Sequence, residues 1–334
     1  MAAGLMELID EMQGREILVI GDMVADIYLD GRISRISREA PVLVLEQAGE
    51  KIVAGGAANV VNNVATLGGK VHAVGIVGMD HGADGLQEIL EGNGADTRGL
   101  FRDPSRPTIS KTRVIAGGRA TVSQQIVRID HESKEPIGEE LEGQLLDYID
   151  QTLPKVGGIV MSDYGAGTIT KRIRERLIGY SREHGIPSIA DSRYDIRRFR
   201  GVGYVKQNDA ELAAAVEREL GTEDELRQAG RQLLREMESA GLLVTRGEQG
   251  MSLFEETGGI HDIPVTDRSE VYDVSGAGDT CVSTVILALA AGAEPVLAAR
   301  LSNFASGIAV RKLGTATVSS RELRKAIERG EREC

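Results

Sequence analysis

The feature that most constrains this chain is a repeated alternation of short β-rich runs with longer amphipathic ones. Residues 17–21, 70–77, 158–162, 187–191 and 242–245 are rich in Val, Ile and Leu and read as buried strands. Residues 55–67, 82–91, 139–152, 170–184 and 223–240 read as helices, the first closed by Gly68-Gly69. Such alternation predicts an α/β fold: a mainly parallel central sheet flanked by helices on both faces. Ligands of such sheets sit outside the carboxyl ends of the strands. Gly55, Gly56, Asp163, Asn208 and the loop before residue 281 fall there.

Two segments break the rhythm. Residues 26–53 and 108–130 hold alternating runs with no helix between them, such as Pro41-Val42-Leu43-Val44-Leu45-Glu46. They read as antiparallel strands of a small second sheet inserted into one domain spanning residues 1–334. An exposed two-sided hairpin is the plainer alternative, and Val42, Val44, Ile109 and Val114 argue against it. A small sheet with one face over a ligand must cover its other face, so self-association is physically reasonable.

The run Asp273-Val274-Ser275-Gly276-Ala277-Gly278-Asp279-Thr280 carries the chemistry. Gly276 and Gly278 lack Cβ atoms, so backbone N–H groups can crowd around a small anion. The apolar stretch 281–291, ending at Gly292, reads as a buried helix whose positive N-terminal end suits a phosphoryl group. Phosphate repels a carboxylate, so Asp279 is suited to taking a proton from an attacking hydroxyl. Aspartate is also a favoured N-cap, and the octapeptide alone leaves the two readings open.

The octapeptide resembles the C-terminal signature of the ribokinase-like (PfkB) carbohydrate kinases. Three further segments match that family in order: Gly55-Gly56-Ala57-Ala58-Asn59-Val60, Asn208-Asp209-Ala210-Glu211, and Val244-Thr245-Arg246-Gly247-Glu248-Gln249-Gly250. Within the family the best match is to bacterial heptose 7-phosphate kinases of lipopolysaccharide precursor synthesis. The matching segments are 34–42, 108–114 and 312–318, with Arg38 where a proline is common. The resemblance implies a ribokinase-like fold whose second sheet is a lid over the sugar and often a homodimer interface. It implies ATP-dependent phosphorylation, with D-glycero-D-manno-heptose 7-phosphate converted to the 1,7-bisphosphate. Ribose, fructose 6-phosphate and fructose 1-phosphate are the alternative substrates, and a non-catalytic sugar-phosphate sensor is the alternative function.

Residue by residue, the resemblance makes Asp279 the base and Gly276, Ala277 and Gly278 the anion loop. Asp26 would bind sugar hydroxyls, with Gly55, Gly56 and Asn59 beside it. Asn62 and Asn63 read as solvated or helix-packing residues, and Asp22 and Asp30 as turn residues. Lys111 and Arg113, two apart on one strand face, read as a clamp for the substrate's existing phosphate or as charges protecting a strand edge. Arg128, Arg35 and Arg38 are further candidates, and Asp130 and Glu132 fall near this lid. On the nucleotide side, Thr245, Arg246 and Gly247 would lie along the phosphates and Asn303 near the adenine. Asn208 and Glu211 share a helix face and read as a capping box, as organisers of Mg²⁺ through water together with Asp163, or as both. Asp273, Ser275 and Gly314 match positions that bind a monovalent cation, K⁺, in some relatives.

Composition excludes other classes. A net charge of −12 argues against nucleic-acid and membrane-surface partners. No apolar run reaches the roughly 20 residues of a spanning helix, and residues 1–14 do not read as a signal peptide. Cys281 and Cys334 form no disulfide framework or metal spacing, which fits a reducing cytoplasm. The five histidines fall in no metal or triad spacing, and a Walker A motif is absent. Many heptose kinases are fused to an adenylyltransferase half with an H-x-G-H motif; this chain lacks the motif and is expected to perform the kinase step only.

Overall fold

The computed structural model describes residues 2–117, 123–266 and 271–332. Cys334 and residues 118–122 of the expected lid segment lie outside the described residues. In chain order the elements are α1 (Ala2–Glu11), β1 (Glu16–Gly21), β2 (Met23–Ile36), β3 (Leu43–Gly56), α2 (Ala57–Thr66), β4 (Lys70–Val77), α3 (His81–Gly92) and β5 (Asp96–Arg102). Then come β6 (Ile109–Gly117), β7 (Gln124–His131), α4 (Glu139–Thr152), β8 (Gly158–Asp163), α5 (Lys171–His184), β9 (Ser188–Ser192), β10 (Tyr204–Asn208) and α6 (Asp209–Ala215). The last are α7 (Glu223–Met237), β11 (Gly241–Thr245), β12 (Met251–Glu255), β13 (Ile260–Ile263), α8 (Ala277–Ala290), α9 (Pro295–Ala309) and α10 (Ser320–Arg332).

The main sheet has the order β13-β12-β11-β10-β9-β8-β1-β4-β5. From β11 to β5 every neighbouring pair is parallel, and β12 and β13 add an antiparallel edge. The two-residue alternation of a strand sends its apolar side chains to both faces. Ile17 and Val19 of β1 pack with α1, α2, α8, α9 and α10, while Leu18 and Ile20 pack with α4, α5 and α7. The mainly parallel, helix-covered sheet is thus as the alternation predicts. Strands β5, β10, β12 and β13 go beyond that reading, because their short runs are interrupted by polar residues such as Asp96, Lys206 and His261.

The second sheet runs β3-β2-β6-β7. Its expected all-antiparallel pairing needs correction: β2 and β3, and β6 and β7, are antiparallel, but β2 and β6 are parallel. The crossover through α2, β4, α3 and β5 returns the chain in the same direction. Gly55 and Gly56 also sit elsewhere than expected. They close β3, and the helix opens only at Ala57. Asp30 lies within β2 beside a register shift at Asp30/Gly31 rather than in a turn.

Close approach of β1 to β8 depends on Gly21. A Cβ there would lie 1.9 Å from the Ser162 carbonyl oxygen and 2.9 Å from Ala57 Cβ. Gly179, on the exposed side of α5, has no atom within 4 Å of the equivalent position. We expect Gly21→Ala to cost about 1–3 kcal/mol of stability by forcing the strands apart. Gly179→Ala is expected to add about 0.5–1 kcal/mol through helix propensity. Thermal denaturation of both variants checks this; a Gly21→Ala protein as stable as wild type would contradict the packing of β1 on β8.

Candidate active site

The site forms at the head of α8. Gly276 is its N-cap with φ 79°, a left-handed conformation that favours glycine. A Cβ on Gly276 would also sit 2.7 Å from Asn59 Nδ2. The helix starts at Ala277, so Asp279 is the third helical residue and not the cap, which removes the N-cap reading. Ala277 N–H closes the turn onto the Val274 carbonyl at 3.3 Å. The next amides belong to the first turn, whose N–H groups have no partner within a helix. Gly278 packs against Lys206: a Cβ there would lie 2.7 Å from Nζ.

Asp279 is 4% exposed. Its Oδ2 accepts a hydrogen bond from Asn59 Nδ2 at 2.8 Å, and its Oδ1 accepts one from Tyr164 Oη at 3.0 Å. Burial pushes its pKa up to about 6; Asp191 adds to the rise, while Asn59, Lys206 and Tyr164 oppose it. Tyr164 is itself held well above the usual phenol value, first by burial and then by Asp279. It therefore stays a neutral donor.

Both donors are fixed from behind. Asn63 Nδ2 donates to Asn59 Oδ1 at 3.1 Å and to the Asn59 carbonyl at 3.0 Å. Asn63 Oδ1 accepts from Thr280 Oγ1 and from Val318 N–H, each at 3.2 Å. Asn63 is thus a buried packing residue rather than a solvated one, and Asn62 accepts from Asn93 Nδ2 at 2.7 Å. Asp22, fully buried, accepts backbone N–H bonds from Tyr164 at 2.8 Å, Ala166 at 3.1 Å and Thr168 at 3.4 Å. It anchors the loop that carries Tyr164, which corrects its reading as a turn residue. Tyr164 and Lys206 went unassigned in the sequence, and Asp22 was given no part in the site; their placement within two residues of Asp163, Asn208 and Gly21 was the available signal.

The lid presents Asp26, Tyr28, Lys111, Arg113, Arg128 and Asp130 on one face, because these residues pair across β2, β6 and β7. Arg113 Nη1 donates to Asp26 Oδ1 at 2.6 Å, and its guanidinium lies 5.3 Å from the centre of the Tyr28 ring. Lys111 Nζ lies 5.6 Å from the centre of the Tyr164 ring. Asp26 is buried at 4% exposure and crowds Gly55, where a Cβ would meet Oδ2 at 2.5 Å. Asp26, Lys111 and Arg113 are therefore brought together, and Lys111 approaches Asp279 through Tyr164. Arg128 is half exposed and holds Asp130 at 2.9 Å through both nitrogens. Glu132 pairs with Lys134 at 3.3 Å. Arg35 is exposed nine residues along β2 from Asp26, roughly 30 Å for an extended strand; Arg38 is exposed beyond it.

Across the loop, the ends of β8, β10 and β11 line up. Asn208 Oδ1 accepts from Glu211 N–H at 2.7 Å, and Glu211 Oε2 accepts from Asn208 N–H at 2.8 Å, a complete capping box. Asp163 Oδ2 accepts from Ser192 Oγ at 2.7 Å. Among the described residues no three His, Cys, Asp or Glu side chains converge as a metal site. These donors fit a magnesium ion that keeps its water shell, not a protein cage. Thr245 ends β11 in register with Asn208. Gly247 has φ 54° and open space around it, but the Arg246 side chain is taken up by Glu223, Gln249 and Ser252. Asn303 Nδ2 donates to the Pro264 carbonyl at 2.6 Å, a packing role in this structure. Asp273 accepts N–H bonds from Ser275 at 2.9 Å and Gly314 at 3.0 Å, so these three residues do converge. Burial opposes the Asp273 charge, but those amides and Arg113 keep its pKa below the usual value.

Comparison with known proteins gives a consistent picture. The sequence model of the pfkB family carbohydrate kinase matches residues 15–322. The Bifunctional protein HldE of Geotalea uraniireducens (strain Rf4) is 44% identical over 314 residues, 93% of this chain and 63% of that protein. The protein of the same name from Geobacter metallireducens is 42% identical over 92% of this chain and 61% of its own length. The chain thus spans about three fifths of the length of these relatives. Among solved structures, Arabidopsis thaliana ribokinase complexed with ribose and ATP superimposes with TM-score 0.72 at 17% identity, covering 95% of this chain and 99% of that one. Escherichia coli phosphofructokinase-2 in complex with substrates and products gives 0.74 at 20% identity, covering 95% and 99%. These likenesses bear out the ribokinase-like fold with its separate small sheet.

Burial of Asp279 has a measurable consequence for stability. Its folded pKa of about 6 lies above the unfolded value near 3.8. The resulting stabilisation is complete below about pH 4 and lost as pH rises through about 6. At pH 8 the ionised carboxylate therefore costs up to about 3 kcal/mol. We expect Asp279→Asn to be more stable than wild type at pH 8, with the gap narrowing towards pH 4.5. Thermal unfolding at the two pH values checks this; a variant less stable at pH 8 than at pH 4.5, relative to wild type, would contradict the burial.

Proposed function

Because the chain belongs to the pfkB family of carbohydrate kinases, we propose that it transfers the γ-phosphoryl group of ATP to O1 of D-glycero-D-manno-heptose 7-phosphate, giving the 1,7-bisphosphate for lipopolysaccharide precursor synthesis. The observation that carries the reading is a buried carboxylate with a raised pKa in the first turn of an apolar helix, behind a bare glycine loop. The heptose-kinase-like segments 34–42, 108–114 and 312–318, and the 44% identity to an HldE relative, support the substrate.

In this reading the sugar hydroxyl displaces the Tyr164 bond and gives its proton to Asp279 as O1 attacks Pγ. The bond from Pγ to the bridging oxygen breaks, and ADP leaves with the electron pair. The Gly276–Gly278 amides face charge on the moving phosphoryl group. Asp26 and Asn59 hold the sugar, with Gly55 and Gly56 leaving room for it. Lys111 and Arg113 hold the 7-phosphate, with Arg128 behind them. Thr245, Gly247 and the main chain of Arg246 follow the nucleotide phosphates, with Asn303 on the adenine side. Magnesium would supply charge neutralisation on the nucleotide, its water shell held by Asp163, Asn208 and Glu211. Asp273, Ser275 and Gly314 form the candidate K⁺ site, and one fold relative is described as phosphofructokinase-2 in complex with potassium. Val127 and Ile129, both 46% exposed on the outer lid face, support a homodimer through the lid, which sedimentation velocity would report as a dimer's mass. A cytoplasmic location is supported by the free, buried Cys281; no helix among the described residues is long and apolar enough to cross a membrane.

Purified protein assayed with ATP against the heptose phosphate, ribose, fructose 6-phosphate and fructose 1-phosphate tests the substrate. Turnover of ribose with none of the heptose phosphate would reject it. Asp279→Asn is expected to lose about 10²–10⁴ in kcat while still binding nucleotide; near-normal turnover would remove its role as base.

The lid gives a separate expectation. Each charge-assisted contact to the 7-phosphate contributes about 1.5–3 kcal/mol. Lys111→Ala and Arg113→Ala should therefore each raise the sugar-phosphate KM by about one to two orders of magnitude and leave the ATP KM unchanged. Arg113→Lys should also weaken binding if the contact is bidentate. Steady-state kinetics that show an unchanged sugar KM in both alanine variants would place the phosphate elsewhere.

A further inference from the structure

Lys206 is a charge in a place that strand packing alone would fill with an apolar residue. It lies in β10, inside the parallel part of the sheet, with Val205 before it facing the other core layer. Its side chain is 7% exposed. The ammonium has one ion-pair partner within bonding distance, Asp191 Oδ2 at 3.0 Å, from the adjacent position of β9. Glu211 and Asp279 face it from α6 and α8. Burial disfavours the charge, yet Asp191 and Glu211 keep the amine pKa above its ordinary value, so it is protonated at any working pH.

The position of Nζ matters most. It lies against Gly278, where any Cβ would be 2.7 Å away. Two sources of positive potential therefore meet at the loop: the first-turn amides at the N-terminal end of α8, and the full charge of Lys206 beside Gly278. A buried ion pair is often replaceable by apolar residues of similar volume without loss of stability. An anion loop in a low-dielectric pocket, by contrast, gains directly from a cation beside it.

Building on the phosphoryl-transfer reading above, we propose that Lys206 is a positioning residue for that step: held by Asp191, its ammonium backs the Gly276–Gly278 loop and stabilises negative charge developing on the transferred phosphoryl group. No bond to Lys206 forms or breaks. Its charge acts through the loop on the moving group, and it also bears on Asp279, which Asp191, Lys206, Tyr164 and Asn59 surround.

The experiment uses Lys206→Met and the double variant Lys206→Met/Asp191→Leu, which leaves no unpaired charge if the single variant does not fold. Kinetics are measured with the sugar phosphate and also for ATP hydrolysis without sugar, where water is the acceptor. We expect kcat in both assays to fall about 10²-fold, in the range seen when one oxyanion donor is lost, with the ATP KM within about threefold of wild type. In Lys206→Met the acid limb of the pH–rate profile should also move to higher pH, because a cation that favours the ionised base is gone; a purely structural role would not move it. A folded single or double variant with kcat within threefold of wild type would overturn the proposal. If wild type hydrolyses ATP but accepts no heptose phosphate, the substrate assignment fails while the hydrolysis arm still decides the role of Lys206.

Discussion

The bond from Asn59 to Asp279 is the contact on which the rest of the site depends. It joins α2 to α8 at 2.8 Å inside the protein and fixes one carboxylate oxygen, so that the other can turn towards a substrate. Burying an ionised carboxylate is unfavourable unless it is hydrogen-bonded and matched by charge. The surroundings meet both needs in part: two donors, one cation, and a nearby anion that works against them. The balance leaves a buried carboxylate with its pKa raised to about 6 instead of a permanently ionised surface group. A general base is most effective there.

That balance explains the residues that hold Asn59 and Tyr164 in place. Asn63 ties Asn59 to Thr280 and to the backbone at Val318, so α2, α8 and the segment before α10 are held together. Asp22 spends its oxygens on the backbone of the Tyr164 loop, fixing the second donor. The lid reaches the same centre from the other side, with Lys111 over Tyr164 and Arg113 on Asp26. Within an acidic chain of net charge −12, Lys111 and Arg113 thus stand on the same lid face as Asp26.

Much of this was legible in the sequence. The strand–helix rhythm predicts the parallel sheet because the buried stretches of β1, β4 and β8, such as residues 17–20, 73–77 and 159–161, are apolar on both faces. The glycine loop and Asp279 were legible because backbone approach to an anion demands bare residues at fixed spacing. The edge strands β12 and β13 and the polar-interrupted β10 were not, since a short run containing Lys206 or His261 lacks a clear period. The parallel pairing of β2 with β6 was hidden for another reason. It depends on the path of five intervening elements, which no local pattern encodes. The partners of Arg246 and Asn303, Glu223 and the Pro264 carbonyl, were likewise not encoded in the motifs that carry them. Tyr164 and Lys206 became visible only when the fold brought residues 115 and 72 positions away in sequence up to Asp279 and Gly278.

The central claim is that Asp279 is a buried carboxylate poised as a base. Carboxyl-carbon NMR titration of aspartate-labelled protein, with Asp279→Asn used to assign the resonance, measures it directly. The account predicts a midpoint near pH 6. A midpoint near the ordinary 3.8 would show a solvated, freely ionised side chain and contradict it.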